Sequence, residues 1–271
     1  MIPGSKGLKP HELAHMCVKD LGTRPNMSIK VERKHLLTLT SYMYKRKDFY
    51  KMEKIILFDL DGTLMNTKEG ITRCAAYALE HYGIQEEPDH LDFFIGPPLH
   101  VSFQEFYGFD SEKAAEAARI YRERYKDIGV FECEPYAGIS DVLRQLKEDG
   151  FQLGVATSKP EVFAVRILEK FEFIGYFNFV TGSLLDNTRS DKKEVIEEAL
   201  RRFEVPEDRI CDVLMVGDRK HDIIGAKQTG LSSMGVKFGF AKENELEESG
   251  ADYIAELPED IVRLAREWRE H

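Results

Sequence analysis

Cysteine is sparse in this chain, and Cys17, Cys74, Cys133 and Cys211 form no C-x-x-C pair. That dispersal argues against a disulfide framework and a thiolate zinc site as organising principles. It suits reduced thiols in a cytoplasmic protein. No uninterrupted apolar run approaches the roughly 20 residues that a spanning helix needs, so no membrane partner is expected. The opening stretch MIPGSKGLKPHELAH has no apolar centre of the kind a secretory signal carries. Repeats and low-complexity tracts are also missing. Basic charge is in deficit, with 38 Lys/Arg against 48 Asp/Glu and a net charge of −10.

What remains is an ordinary globular composition, 42% hydrophobic and 32% charged over 271 residues, enough for one large domain or two modest ones. The charge is unevenly spread. Residues 1–51 carry 11 Lys/Arg and 4 Asp/Glu, a balance of +7, which leaves −17 for the rest. An acidic body argues against nucleic acid as the main substrate. The basic leader is a separate unit, broken repeatedly by Gly4, Gly7, Pro10, Gly22 and Pro25, with a short helix expected at His35–Tyr44. Its expected state is a solvated extension. Lys45-Arg46-Lys47 among Tyr42, Tyr44, Phe49 and Tyr50 also offers a nucleic-acid contact, and packing on the body or a role in oligomers stay open. The pattern changes sharply at Met52, which makes that residue an alternative start.

From Met52 the sequence reads MEKIILFDLDGT. Ile55–Phe58 is a continuous apolar run that ends in an acidic, glycine-containing turn, the mark of a buried parallel strand. The same grammar recurs at Leu153–Ala156 before Thr157-Ser158-Lys159, and at Phe177–Val180 before Thr181-Gly182. It recurs again at Val213–Val216 before Gly217-Asp218, and at Ser233–Val236. Helical stretches are predicted at 138–149, 161–171, 191–203, 221–229 and 258–269. Alternating strands and helices imply an α/β, doubly wound, mainly parallel Rossmann-like sheet, and such sheets bind ligands beyond their carboxyl strand ends. Residues 67–133 break the alternation with helices predicted at Ile71–Tyr82, Leu99–Phe106 and Ser111–Ile128, the last capped at Ser111. The expected organisation is a leader (1–51), an α/β core (52–66 and 134–271) and a small helical cap inserted at 67–133.

Four clusters carry candidate chemistry. Asp59 and Asp61 lie two apart at a strand end, so both can face one site while Gly62 bends the chain. One carboxylate can attack phosphorus as a nucleophile, and the other can exchange protons with the leaving oxygen and with water. A turn with solvated acids is the bland alternative, because Asp-Gly is common in turns. Asp218 and Asp222 follow another strand, and acids brought beside Asp59 would need a hard cation such as Mg²⁺ between them. Asp222 also fits a helix cap. Thr157 and Ser158 offer a hydroxyl and amides to a phosphate, or simply cap the helix after Pro160. The fourth is a lysine, Lys192 or Lys193, that can offset phosphate charge, although charged residues at a helix start usually face solvent.

In this order, DLDGT, TSK, a lysine and VGDRKHD resemble the haloacid dehalogenase superfamily over residues 52–257. Within it the chain looks like the phosphoglycolate-phosphatase-like branch, where Phe94-Ile95-Gly96-Pro97-Pro98-Leu99 resembles a cap loop. The resemblance implies hydrolysis of a small phosphorylated metabolite with Mg²⁺. Asp59 would be nucleophile and metal ligand, and Asp61 general acid/base and a backbone ligand. Thr157 and the Ser158 amide would hold the phosphoryl group and Lys192 would pair with phosphate and Asp59. Asp218 would bind metal with Asp222 in support. Many relatives have Asn at Ser158, which loosens that assignment, and register favours Lys192 over Lys193. The substrates implied are phosphoglycolate or, as an alternative, nucleoside 5′-monophosphates. A sugar-phosphate mutase is a further alternative in the same superfamily. A response regulator is disfavoured because its acceptor aspartate lies on a later strand than its paired metal acids. His81, His90, His100 and His221 have no partners at ligand spacing and read as surface or packing residues, and Trp268 as a packing anchor.

Overall fold

The computed structural model describes residues 53–186 and 188–271, and Glu53–His271 is one compact unit. The readings of the leader, of Met52 and of Cys17 fall outside the described residues.

Four apolar residues in a row cannot alternate between core and solvent, so Ile55–Phe58 (β1) must be covered on both faces. All four are at most 1% exposed. Each such side chain contributes about 1.5–3 kcal/mol relative to exposure. Parallel neighbours flank β1: Gln152–Pro160 on one side and Val213–Gly217 on the other. Numbered along the chain, the six-stranded order is β5-β4-β1-β6-β7-β8, with β4 at Gln152–Pro160, β5 at Phe179–Ser183, β6 at Val213–Gly217, β7 at Ser232–Val236 and β8 at Tyr253–Ala255. Every pairing is parallel. The chain works outward from β1 through β4 to β5, then crosses back to β6 on the far side. That reversal brings the carboxyl ends of β4, β1 and β6 side by side, where ligands of such sheets bind.

Helices cover the sheet. Ile139–Glu148 (α4) buries Ile139, Val142, Leu143 and Leu146 at i, i+3, i+4 and i+7, and packs with Asp260–Arg269 (α9). Trp268 of α9 is 3% exposed, lies against Phe151 and donates from Nε1 to Ser232 Oγ. Lys192–Arg202 (α6) packs with Lys220–Thr229 (α7), and Glu161–Lys170 (α5) lies on β4 and β5. A four-residue helix, Glu245–Glu248 (α8), follows β7.

Between β1 and β4 stand Lys68–Glu80 (α1), Leu99–Tyr107 (α2) and Ser111–Tyr125 (α3). The two chain segments that lead into and out of these helices pair with each other as Met65–Asn66 (β2) and Glu134–Pro135 (β3), antiparallel. An apolar cluster that includes Ala75, Ala78, Phe94, Phe103 and Ala114 is continuous with the core under the sheet.

The elements differ from the sequence expectations at several points. The cap of α3 is Asp110, which accepts from Lys113 N at 2.8 Å, so the helix starts one residue after its cap rather than being capped by Ser111. β5 begins at Phe179, not Phe177, because Asn178 is spent on Leu153 through its backbone N–H and side-chain oxygen. Thr181-Gly182 therefore lies inside β5, and Thr157-Ser158-Lys159 inside the irregular end of β4. The three-residue β8 and the β2–β3 ladder had no counterpart in the sequence pattern.

Candidate active site

Alternation along the chain leaving β1 buries Leu60 completely and turns Asp59 and Asp61 to the opposite side. The Leu60 carbonyl accepts from the backbone N–H groups of Leu64 and Met65, which closes the loop tightly. Gly62 sits at φ +81°, and a Cβ there would lie 2.0 Å from Asp218 Oδ2. A glycine is therefore required both by conformation and by the approach of the two acidic loops.

Lys192 occupies the first turn of α6 and is 6% exposed. Its Nζ donates to Asp59 Oδ1 at 2.9 Å and to the Ala156 carbonyl at 3.0 Å, and meets Asp222 Oδ1 at 2.7 Å as an ion pair without hydrogen-bond alignment. Burial pulls the ammonium pKa down, but Asp222 and then Asp59 more than reverse this, so Lys192 is held charged. Gly225 makes room for it, since a Cβ there would come within 2.8 Å of Lys192 Cγ. The adjacent Lys193 points elsewhere, half-exposed and 3.6 Å from Glu197. Of the two lysines, only Lys192 reaches Asp59.

Asp218 and Asp222 are buried at the end of β6 and the start of α7. Asp218 Oδ2 accepts from Phe240 N at 2.7 Å, whereas Oδ1 is buried without a hydrogen-bond partner. Burial, then the neighbouring Asp222 and Asp59, push the Asp218 pKa well above the usual range. Burial also raises that of Asp222, against the pull of Lys192. Asp222 Oδ2 accepts from Arg219 N at 3.0 Å, so this residue does cap α7 while its other oxygen meets Lys192.

Thr157 is 1% exposed and Ser158 half-buried, both on the cleft wall. Thr157 Oγ1 accepts from Lys159 N at 3.2 Å, which leaves its own hydrogen to donate into the cleft. Neither hydroxyl caps α5. The residue preceding that helix is Pro160, with no side-chain cap.

Two residues escaped the sequence reading of the site. Lys159, 8% exposed, places Nζ 2.8 Å from Asp61 Oδ2. Burial lowers its pKa, and Asp61, with smaller help from Tyr121 and Cys133, more than offsets that. The available signal was its place directly after Thr157-Ser158, a charged residue at a strand end. Arg219, inside the VGDRKHD stretch, donates from Nε to Glu245 Oε1 at 2.9 Å and from Nη1 to the Ile95 carbonyl at 2.8 Å. The Glu245 partner lies 26 residues further along the chain, in α8, so nothing local announced it.

The opposite wall of the cleft comes from the helical insertion: Phe94, the Gly96-Pro97-Pro98 turn, and Tyr121, Arg122 and Tyr125 of α3. Phe94 also packs in the apolar cluster, whereas Phe106 is exposed. His221 lies at the cleft, and the one acidic or histidine cluster with ligand atoms mutually within 4.8 Å, among the described residues, is Asp59, Asp218 and Asp222.

Charge and geometry together test the fit of a divalent cation. Asp59, Asp218 and Asp222 bring ligand oxygens within 4.8 Å of one another, and Lys192 meets Asp59 and Asp222 among them. The orphaned Asp218 Oδ1 is a hard oxygen donor beside Asp59. Such a donor set fits Mg²⁺, which takes a few carboxylates and shares itself with substrate phosphate.

Comparison with known proteins agrees with this construction. The family model for haloacid dehalogenase-like hydrolases matches residues 56–236. A 5′-nucleotidase of Pseudomonas aeruginosa is 46% identical over 193 residues, covering 70% of this chain and 86% of that protein. A phosphoglycolate phosphatase of Aquifex aeolicus is 28% identical, covering 78% of this chain and 96% of that protein. A crystal structure described as a predicted phosphatase from Clostridium acetobutylicum superposes with a TM-score of 0.76 at 43% identity, over 80% of this chain and 100% of that one. With its motifs gathered at the ends of three adjacent strands, the chain belongs to the haloacid dehalogenase-like hydrolases, as an enzyme of their phosphatase branch.

Proposed function

We propose that this protein hydrolyses a small phosphate monoester in two steps through an aspartyl-phosphate on Asp59, with Mg²⁺ as cofactor. The observation that carries the proposal is Lys192 Nζ bridging Asp59, Asp222 and the Ala156 carbonyl beside the unpaired Asp218 Oδ1. Asp59 and Asp218 would hold Mg²⁺ with the Asp61 carbonyl, and Asp222 would orient the cluster. When bound, the cation neutralises charge on the phosphoryl oxygens.

A carboxylate oxygen of Asp59 attacks phosphorus, forming an O–P bond as the bond to the leaving oxygen breaks. Asp61 gives that oxygen a proton, then takes one from the water that attacks the aspartyl-phosphate, and phosphate leaves with Asp59 restored. Thr157 and the Ser158 amide hold phosphoryl oxygens, and Lys192 offsets their charge through the dissociative transition state. The helical insertion at 67–133 acts as a cap that excludes bulk water during the first step.

Phosphoglycolate and nucleoside 5′-monophosphates are the candidate substrates. The aromatic wall of Phe94, Tyr121 and Tyr125, together with the likeness to a 5′-nucleotidase, favours the nucleotides. Phosphate release from a panel of both classes and of sugar phosphates, with and without Mg²⁺, tests the reading. Wild type should release phosphate only with the cation, and Asp59→Asn should lose at least roughly 10³-fold in kcat. Equal turnover by the variant removes Asp59 as nucleophile, and an isomerised sugar phosphate without net release replaces the hydrolase by a mutase.

A further inference from the structure

The Asp61 carboxylate is anchored at one oxygen. Its Oδ1 is buried with no hydrogen-bond partner, and its Oδ2 meets Lys159 Nζ at 2.8 Å. The Lys159 side chain is 5% exposed. A buried ammonium is costly unless paired, and here the pairing falls on the carboxylate that must exchange protons with the substrate. Lys159 is itself fixed from two directions. Its backbone N–H binds Thr157 Oγ1, and its Nζ lies 5.1 Å from the centroid of the Tyr125 ring on α3. The aromatic face belongs to the helical insertion, so one residue touches Thr157 through its backbone, and Asp61 and the far wall of the cleft through its ammonium.

We propose that Lys159 is a positioning residue that aims the Asp61 carboxylate at the leaving oxygen and at the incoming water, and acts on catalysis only through Asp61. The inference rests on the reading of Asp61 as acid and base. Lys192 serves the nucleophile, and Lys159 serves the proton carrier. Each aspartate of the DLDGT turn thus has its own buried lysine, delivered by a different strand or helix.

A double-mutant cycle separates this role from a direct contact with substrate. With the full chain and Mg²⁺, Asp61→Asn should lower kcat by roughly 10²- to 10⁴-fold. Lys159→Met should lower it by about 10- to 100-fold, the cost of a misaimed group. Joined in one protein, the two changes should cost no more than Asp61→Asn alone, within about twofold, because a lysine that acts through Asp61 has nothing left to aim. Lys159→Arg, which keeps a charged donor, should recover part of the loss. Additive losses, or a Lys159→Met enzyme as fast as wild type, overturn the role of Lys159 while leaving Asp61 as acid and base. Unchanged kcat in Asp61→Asn overturns the reading of Asp61 and this inference with it. Thermal unfolding of each variant checks the fold, and Lys159→Gln takes the place of Lys159→Met in the cycle if the methionine variant does not fold.

Discussion

The two walls of the cleft are built on different principles. The sheet wall is polar, and its charged groups sit at the ends of buried strands, where backbone pairing fixes them. Asp59 N–H, for example, donates to the Val216 carbonyl at 2.9 Å, so the turn that carries Asp59 is still tied to β6. The helical wall is largely apolar and aromatic, and polar hydrogen bonds that tie it to the sheet wall run to backbone carbonyls: Arg219 to Ile95, Arg166 to Lys126 and Lys170 to Phe131. A side chain that meets a main-chain oxygen places few demands on the residue supplying it. The helical wall can therefore change its sequence while keeping its seat, and the sheet wall cannot. Under the proposed function, such a division would put the chemistry on the rigid wall and the selection of substrate on the adaptable one.

Substitutions on the two walls should consequently fail in different ways. Lys192→Met, on the sheet wall, should lower kcat by about 10²- to 10³-fold for every substrate alike, since under the proposed mechanism it removes charge stabilisation at the phosphoryl group itself. Steady-state kinetics on two unrelated phosphate esters checks this, and a loss confined to one of them would erase the distinction between the walls. Arg219→Met should act at the seam. Losing its bond to the Ile95 carbonyl, about 1.5 kcal/mol for a charged donor, should raise KM roughly tenfold with a smaller change in kcat. A pure kcat effect would place Arg219 with the chemistry instead.

The smallest effect should come from the foot of the helical wall. Arg124 donates to both oxygens of Glu132, and Arg73 adds a third bond. Arg124 holds the Glu132 carboxyl below the ordinary range, against the opposing effect of burial. A carboxylate depressed on folding stabilises the protein above its unfolded value, about 4.3, and loses that contribution as pH falls through the folded value. Glu132→Gln should therefore cost about 1 kcal/mol at neutral pH. The gap from wild type should close in acid, as thermal unfolding across pH would show. A gap that widens in acid would reverse the sign and discard the pairing.

Much of this arrangement was legible in the chain before it folded. Continuous apolar runs ending in polar turns marked β1, β4 and β6, because the stretches of strand covered on both faces are predominantly apolar. Asp59, Asp61, Thr157, Ser158, Lys192, Asp218 and Asp222 all come from those strand ends or the helix starts near them, and all but Asp218 lie on the cleft wall, with Asp218 buried beside Asp59 and Asp222. Their local spacing carried the information. The short strands were hidden for the opposite reason. Three residues in β8, or two in β2 and β3, are too few to show a period, and their partners lie far along the chain. Sequence by itself thus determined the sheet, its site-bearing ends and the types of group gathered there, since those follow from local patterns of burial. The tertiary structure alone decided which lysine meets which aspartate, that Asp218 keeps an oxygen open, and that Arg219 reaches the helical wall. Pairings between groups many residues apart depend on distances in space, which no local pattern records.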